Sequence, residues 1–366
     1  MRNLFLIILI FNSIFLKSQS STCWPSFRGN PSLTGFTKAQ IPDKLSLKWK
    51  FKAGDAIKSS PIFCGNNLYI GCNDGFLYSI SSDGKLNWKF DAKNAIEATP
   101  LYLHQFIYFG TLDGTIFAVD AKTGQMKWKY LTEGQISGSS GWAYLPKKRT
   151  KCIITGSYDY FLHCVDIYTG KAIWTSESEN YINGAAGIND KVALFGGCDG
   201  YIHIVEIETG KATKMDIGTY IASSVCVEEN MAYFGNYDGE FYGIDFVEKK
   251  IVWKHSGSGE FLASPAISGN SVIIGSRDQN VYCFDRTDGK VIWKFKTNGK
   301  IEGSATIAGN RVIIGSGDGR LYILDLKTGN KIWQYEIGSA IVSSPAVVKN
   351  MVFIASMDGN VYAFGK

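Results

Sequence analysis

A unit of about 40 residues returns eight times along this chain, and that periodicity restricts the fold more than any other feature. Each unit opens on a hydrophobic residue soon followed by small residues, often Ser-Pro. The openings are Ile57, Ile96, Ile136, Ile182, Ile221, Phe261, Ile301 and Ile341. Seventeen residues later stands an aspartate in seven units: Asp74, Asp113, Asp199, Asp238, Asp278, Asp318 and Asp358. The third unit reaches Asp159 only after 23 residues, so it alone carries a six-residue insertion.

Within a unit the pattern reads strand, turn, strand. Asp318-Gly319 is flanked by Val312-Ile313-Ile314-Gly315 and Leu321-Tyr322-Ile323-Leu324. Glycine takes the positive φ that a tight hairpin demands. A second turn such as Thr328-Gly329 then leads into a short strand carrying Trp333. Four strands per unit is one propeller blade.

The tryptophans decide closure. Trp88, Trp128, Trp174, Trp253, Trp293 and Trp333 each end a unit, with Lys214 at that place in unit four. The eighth unit stops before any tryptophan strand, yet Trp49 lies eight residues before Ile57, the gap that also separates Trp88 from Ile96. The reading is an all-β, eight-bladed β-propeller of four-stranded antiparallel blades, residues 45–366. It is closed by an N-terminal strand completing the last blade, which hides the sheet edges an open ring would leave.

Ahead of it, residues 1–20 combine Arg2 with an apolar run from Leu4 to Leu16 and small residues Ser18 and Ser20. That is the form of a secretory signal peptide. Residues 21–44 are expected to be a leader packed on the ring. Cys23 lies beyond the place a lipid-acylated cysteine takes, so its acylation is not expected. Export permits disulfides among the eight cysteines. Cys152 and Cys164 flank a turn symmetrically and could face each other, while burial as small hydrophobes is the more frequent role. A net charge of +5, without a basic stripe, argues against nucleic acid. No later segment is a membrane span, and a monomer is expected.

Ala118-Val119-Asp120-Ala121-Lys122-Thr123-Gly124-Gln125-Met126-Lys127-Trp128 reads A-x-D-x-x-T-G-x-x-x-W. It resembles the tryptophan-docking motif of the quinoprotein (PQQ-like) propeller family. Asp166/Thr169/Gly170/Trp174 and Asp325/Thr328/Gly329/Trp333 repeat it, while Asp285/Gly289/Trp293 and Asp245/Trp253 keep parts of it. The lead-in Trp24-Pro25-Ser26-Phe27-Arg28-Gly29 also resembles the start of bacterial members. The resemblance implies that Trp49, Trp88, Trp128, Trp174, Trp253, Trp293 and Trp333 dock between blades. Their indoles need a carbonyl partner when buried.

Catalytic patterns are missing: no G-x-S-x-G, no H-E-x-x-H, no phosphate-cradling loop and no adjacent cysteines occur. His163 and His203 fall where other units carry Tyr or Phe and read as packing substitutes. The expectation is therefore no enzyme, no cofactor and no metal.

Two irregularities suggest binding. The residues after the opening hydrophobes make a lopsided channel mouth, with polar Lys58, Glu97, Ser137, Asn183 and Glu302 as a candidate ligand site. Trp142 and the insertion cations Lys147, Lys148, Arg149 and Lys151 form a candidate partner loop. The family resemblance implies an exported, periplasmic or secreted scaffold for envelope protein partners, similar to the propeller that serves outer-membrane protein assembly. The alternatives are a PQQ-dependent oxidoreductase and a small-ligand or carbohydrate binder at the channel mouth.

Overall fold

The computed structural model describes residues 22–366, so the expected signal peptide lies outside the described residues. Eight sheets form the ring; six are antiparallel runs of four consecutive strands, and the seventh and last each take in one strand from the N-terminal part of the chain. The first blade comprises Ile62–Cys64, Asn67–Gly71, Phe76–Ser81 and Leu86–Asp91. In the last, Ala346–Val348, Met351–Ala355 and Asn360–Gly365 are joined by Ser46–Lys52. That strand lies antiparallel to the C-terminal one, Phe51 opposite Val361 and Ser46 opposite Gly365. The N-terminal strand therefore closes the ring as the tryptophan count requires.

One sheet departs from four strands. Phe36–Thr37 pairs in parallel with Thr306–Ala308, giving the seventh blade a fifth, innermost strand. Only backbone pairing across a long sequence gap creates it, and a two-residue segment leaves no periodic trace.

Burial falls from the axis outward. Second strands such as Arg311–Gly315 are buried after their first residue, because both sheet faces meet neighbouring blades. Outer strands such as Lys331–Glu336 mix exposed and half-buried residues, none of them buried. In seven blades the opening hydrophobe lies against the glycine that ends the second strand of the blade before; ahead of Ile57 the strand Met351–Ala355 ends in Ala355 instead. A Cβ on Gly315 would stand 2.2 Å from Ile341, so that glycine permits the close approach. Among the described residues no helix is long and apolar enough to cross a membrane.

The six-residue insertion does not project as a loop. It lengthens the inner hairpin of the third blade, Gly141–Leu145 and Thr150–Gly156, with a turn over 146–149. The added residues continue the ladder, Tyr144 opposite Lys151 and Leu145 opposite Thr150. Backbone pairing satisfies groups that a free loop would leave to water.

Candidate functional site

Six of the seven tryptophans lock neighbouring blades through two contacts each. Trp128 Nε1 donates to the Ile167 carbonyl at 2.9 Å, and its ring lies on Gly170, where a Cβ would stand 2.7 Å away. Trp49 Nε1 donates likewise to Ser82 at 2.8 Å, Trp88 to Ala121 at 3.2 Å, Trp174 to Ile207, Trp253 to Arg286 and Trp293 to Leu326, the last three at 2.9 Å. Trp333 packs edge-on against Phe364 of the C-terminal strand. The strand register shifts beside each of these seven tryptophans, a bulge that helps aim the indole at the next blade.

Unit four shows what happens without the indole. Its outer strand Ala212–Asp216 pairs without a register shift, so Thr213 rather than Lys214 faces Ile204. Lys214 instead lies over the Tyr201 ring and pairs with Glu179. In the following blade the docking glycine is replaced by Lys249, and buried Phe246 packs against Met215 from the other side of the interface. Glycine is kept where an indole covers it and lost where none does.

A latch made by the repeat aspartates reinforces six of the eight hairpins; Asp113 has Phe117 in the tyrosine slot, and in the fifth blade the Tyr242 hydroxyl turns to Glu240. Asp278 accepts from the Asn280 N–H at 2.9 Å, the Ser258 hydroxyl at 3.1 Å and the Tyr282 hydroxyl. His163 and His203 replace that tyrosine and still bond Asp159 at 3.0 Å and Asp199 at 2.7 Å, so they preserve the latch as well as the packing. Burial pushes the Asp159, Asp199, Asp278 and Asp358 carboxyls up, but hydrogen bonds, joined at Asp159 and Asp199 by the neighbouring His163 and His203, outweigh it and hold them below their usual range. A depressed folded-state value contributes stability that is complete above the unfolded carboxylate range, near ~4, and is lost as pH falls through it. The melting temperature should therefore hold from neutral pH to about 5 and drop below about 4. A flat profile into stronger acid would remove the latch from the account.

The five candidate mouth residues come together. Lys58, Glu97, Ser137, Asn183 and Glu302 line one cavity of about 170 Å³, with Ala222, Leu262 and Val342 completing a contribution from every blade. Their charges are engaged. Lys58 pairs with Glu97 at 2.6 Å, and Arg277 pairs with Glu302 at 2.6 Å. Deeper in, hydroxyls stitch blade to blade: the Ser344 N–H donates to Ser60 Oγ at 2.8 Å and the Thr99 N–H to Ser139 Oγ at 3.0 Å.

The far end of the channel is covered by the leader. Trp24 exchanges two hydrogen bonds with Phe63, at 2.7 and 3.0 Å. Carbonyls of Pro25, Pro31, Ser32, Thr34 and Gly35 then accept from Tyr102, Ile188, Val227, Ile267 and Ile307 at 2.7–2.9 Å. Gln40 accepts from Asn350 at 3.3 Å, so the leader touches seven blades in turn. Between the second and fourth it makes the short 3-10 turn Phe27–Gly29, and Phe27 forms part of the cavity wall. Arg28 is buried beneath, donating to the Pro265 carbonyl at 2.9 Å, and burial lowers its guanidinium to about 10. The channel is a blind cup open at the Lys58 end.

A disulfide joins Cys23 to Cys64, with 4.5 Å between their Cα atoms, and staples the leader to the first blade. Cys152 and Cys164 are buried free thiols. Cys152 faces Asp166 and Cys164 faces Ile154. Replacing Cys23 with Ser should cost about 2–4 kcal/mol for a loop of this length, read by denaturation with and without reductant. Equal stability of the two chains under oxidising conditions would refute the staple.

The insertion residues occupy the leader's end of the ring. Lys147, Lys148 and Arg149 are exposed. Lys151 Nζ stands 2.8 Å from His104 Nε2 and 4.7 Å over the Trp142 ring. The mouth residues and the insertion thus lie at opposite ends of the inner strands and do not make one site.

Sequence reasoning passed over an aromatic arc at the open end. Tyr160, Tyr181, Tyr220 and Tyr237 are exposed on the hairpins and connections of the third to fifth blades. Tyr158 and Tyr160 sit 4.8 and 5.3 Å from the Tyr181 ring centre. The signal was present: the residue before the opening isoleucine is tyrosine only at 181 and 220.

A family described as outer membrane protein assembly factor BamB matches residues 46–194 and 161–366. No curated protein matches the chain. Among solved structures, BamB from Moraxella catarrhalis aligns with a TM-score of 0.75 at 18% identity, over 88% of this chain and 100% of that one. A europium-containing methanol dehydrogenase aligns at 0.82 and 13% identity, over 95% and 99%. A quinohemoprotein alcohol dehydrogenase from Comamonas testosteroni aligns at 0.82 and 13%, over 96% and 81%. At these identities the structural likenesses establish the propeller fold alone.

Proposed function

Because this chain belongs to the PQQ-like propeller family described as outer membrane protein assembly factor BamB, we propose that it is a non-catalytic, exported scaffold. It binds protein partners in the cell envelope and serves outer-membrane protein assembly. The observation that carries this reading is the asymmetry of the two faces. One end of the channel is covered by the chain's own leader, and the other displays the tyrosine arc. Exposed tyrosines supply large contact area at low entropic cost and recur where binding energy concentrates.

The fold likeness to methanol dehydrogenase, at a TM-score of 0.82, favours a second reading, a quinone-dependent oxidoreductase. Against it stands the mouth itself. Its 170 Å³ is below the roughly 300–1,000 Å³ of drug-sized ligand pockets. Lys58 is already paired with Glu97, and Glu302 with Arg277, so the described mouth residues offer no free cation to the carboxylates of a quinone. Among the described residues no group of three acidic, His or Cys side chains is placed to hold a metal. These residues do not fit the quinone with a calcium ion.

The test is crosslinking in an envelope fraction with the native chain and a Tyr181→Ala/Tyr220→Ala variant. Retention of a barrel-assembly component by the native chain, reduced about tenfold or more in the variant, is the expected result. Equal retention by both would discard the arc. A bound chromophore and dye reduction after incubation with quinone and calcium would favour the oxidoreductase.

A further inference from the structure

A second cavity, about 500 Å³, opens between the first and second blades on the leader's side of the ring. Its volume lies within the range of small-molecule sites. Tyr69, Trp88 and Tyr102 give it an aromatic wall, with the Tyr69 and Tyr102 rings stacked at 6.1 Å. The Tyr69 hydroxyl and Trp88 Nε1 are both engaged by the Ala121 carbonyl at 3.2 Å, so neither ring presents a free donor; Tyr69 is buried behind, and the half-buried Trp88 and Tyr102 supply the accessible apolar surface.

The polar side is made of amides. Asn87 Nδ2 donates to Asn67 Oδ1 at 2.9 Å and to Ser79 Oγ at 3.3 Å, and Gln105 stands across from them. No carboxylate lines the groove, and Lys122 is its only cation.

Comparison within the chain separates inherited shape from acquired chemistry. Asn67 faces Ser81, and the residues in the same register of the second, fifth and last blades are Phe106, Met231 and Met351. Ser79 faces Trp88, whereas Ala118, Gly243 and Ile323 face the equivalent tryptophans. Asn87 precedes Trp88, where Ile173, Val252 and Ile292 precede theirs. In the matching groove between the last and first blades, about 430 Å³, Met351 and Phe353 take the places of Asn67 and Tyr69 beside Phe63 and Val348, and the polar residues Asn66, Ser82 and Lys349 stand around them. Packing of this interface thus requires no polar trio, and the first blade alone brings three polar side chains together here.

From this geometry we infer that the groove between the first and second blades binds a neutral oligosaccharide. Aromatic faces take the C–H side of a sugar ring, while side-chain amides present donor and acceptor together, matching vicinal hydroxyls or an N-acetyl group. The lack of carboxylates disfavours a cationic ligand, and a single lysine is too little for a nucleotide or polyanion. The inference is independent of the scaffold reading, since the tyrosine arc lies at the other end of the ring.

The experiment is calorimetric titration of the full chain with chitotetraose, cellotetraose and maltotetraose. The variants are Asn67→Met and Asn87→Ile, residues the protein itself uses at equivalent positions, and melting temperature is the folding control. Saturable binding of at least one probe, weakened about tenfold or more in either variant at unchanged melting temperature, is the expected result. No binding of any probe, or binding equally strong in both variants, overturns the inference. Envelope-partner retention is expected to be the same in these variants as in the native chain, so this test and the scaffold test fail separately.

Discussion

A chain beginning at residue 53 is expected not to reach the closed ring, eluting as an expanded or aggregated species without a cooperative melt. The strand it lacks, Ser46–Lys52, is the outermost of the last blade. Without it the C-terminal strand Asn360–Gly365 becomes an open edge, which invites pairing with another chain. Trp49 goes too, and with it the hydrogen bond to the Ser82 carbonyl and the cover over Gly84. The stacked pair Phe63 and Phe353, 4.8 Å apart, would then stand near open solvent. A chain beginning at residue 45 keeps the strand and loses only the leader, so it should close and melt cooperatively, at lower temperature and with the channel open at both ends. Size-exclusion chromatography with thermal melting distinguishes the two. A cooperative melt of the shorter chain near that of the longer one would mean that closure lies elsewhere.

Trp128→Ala should cost about 3 kcal/mol, the lower end of the penalty for truncating a core aromatic because Trp128 is half-buried. Gly170→Val should cost at least as much. It places a β-branched residue at φ +67° with its Cβ 2.7 Å from the indole. Lys214→Ala, at the interface that has no indole, should leave stability close to unchanged, because Lys214 makes exposed contacts with Tyr201 and Glu179. Urea denaturation of the three variants tests the set. Equal losses at Trp128 and Lys214 would contradict the locking role drawn from the hydrogen bonds and register shifts.

The fold was legible because its determinants are local and repeated. Asp-Gly turns in six units and a tryptophan at constant spacing in all but the fourth mark the blades, and a fixed period leaves only the count and the splice to solve. Residues scattered by one repeat length, such as Lys58, Glu97 and Glu302, could be placed together because the ring maps sequence period onto angle. The same logic foresaw that His163 and His203 take the tyrosine slot, but not that they keep its hydrogen bond to the aspartate. That detail depends on ring orientation, not spacing.

By itself, then, the sequence determined the number of blades, the strand that seals them and the residues that pack between them, since periodic burial carries that information. Only the tertiary structure decided the route of the leader around one channel end, the Cys23–Cys64 staple and the ladder built from the insertion. It alone set the unshifted register of the fourth blade's outer strand and the amide groove beside Trp88. Each of these joins residues with no shared period, and a contact between unrelated stretches is fixed by where the closed ring brings them.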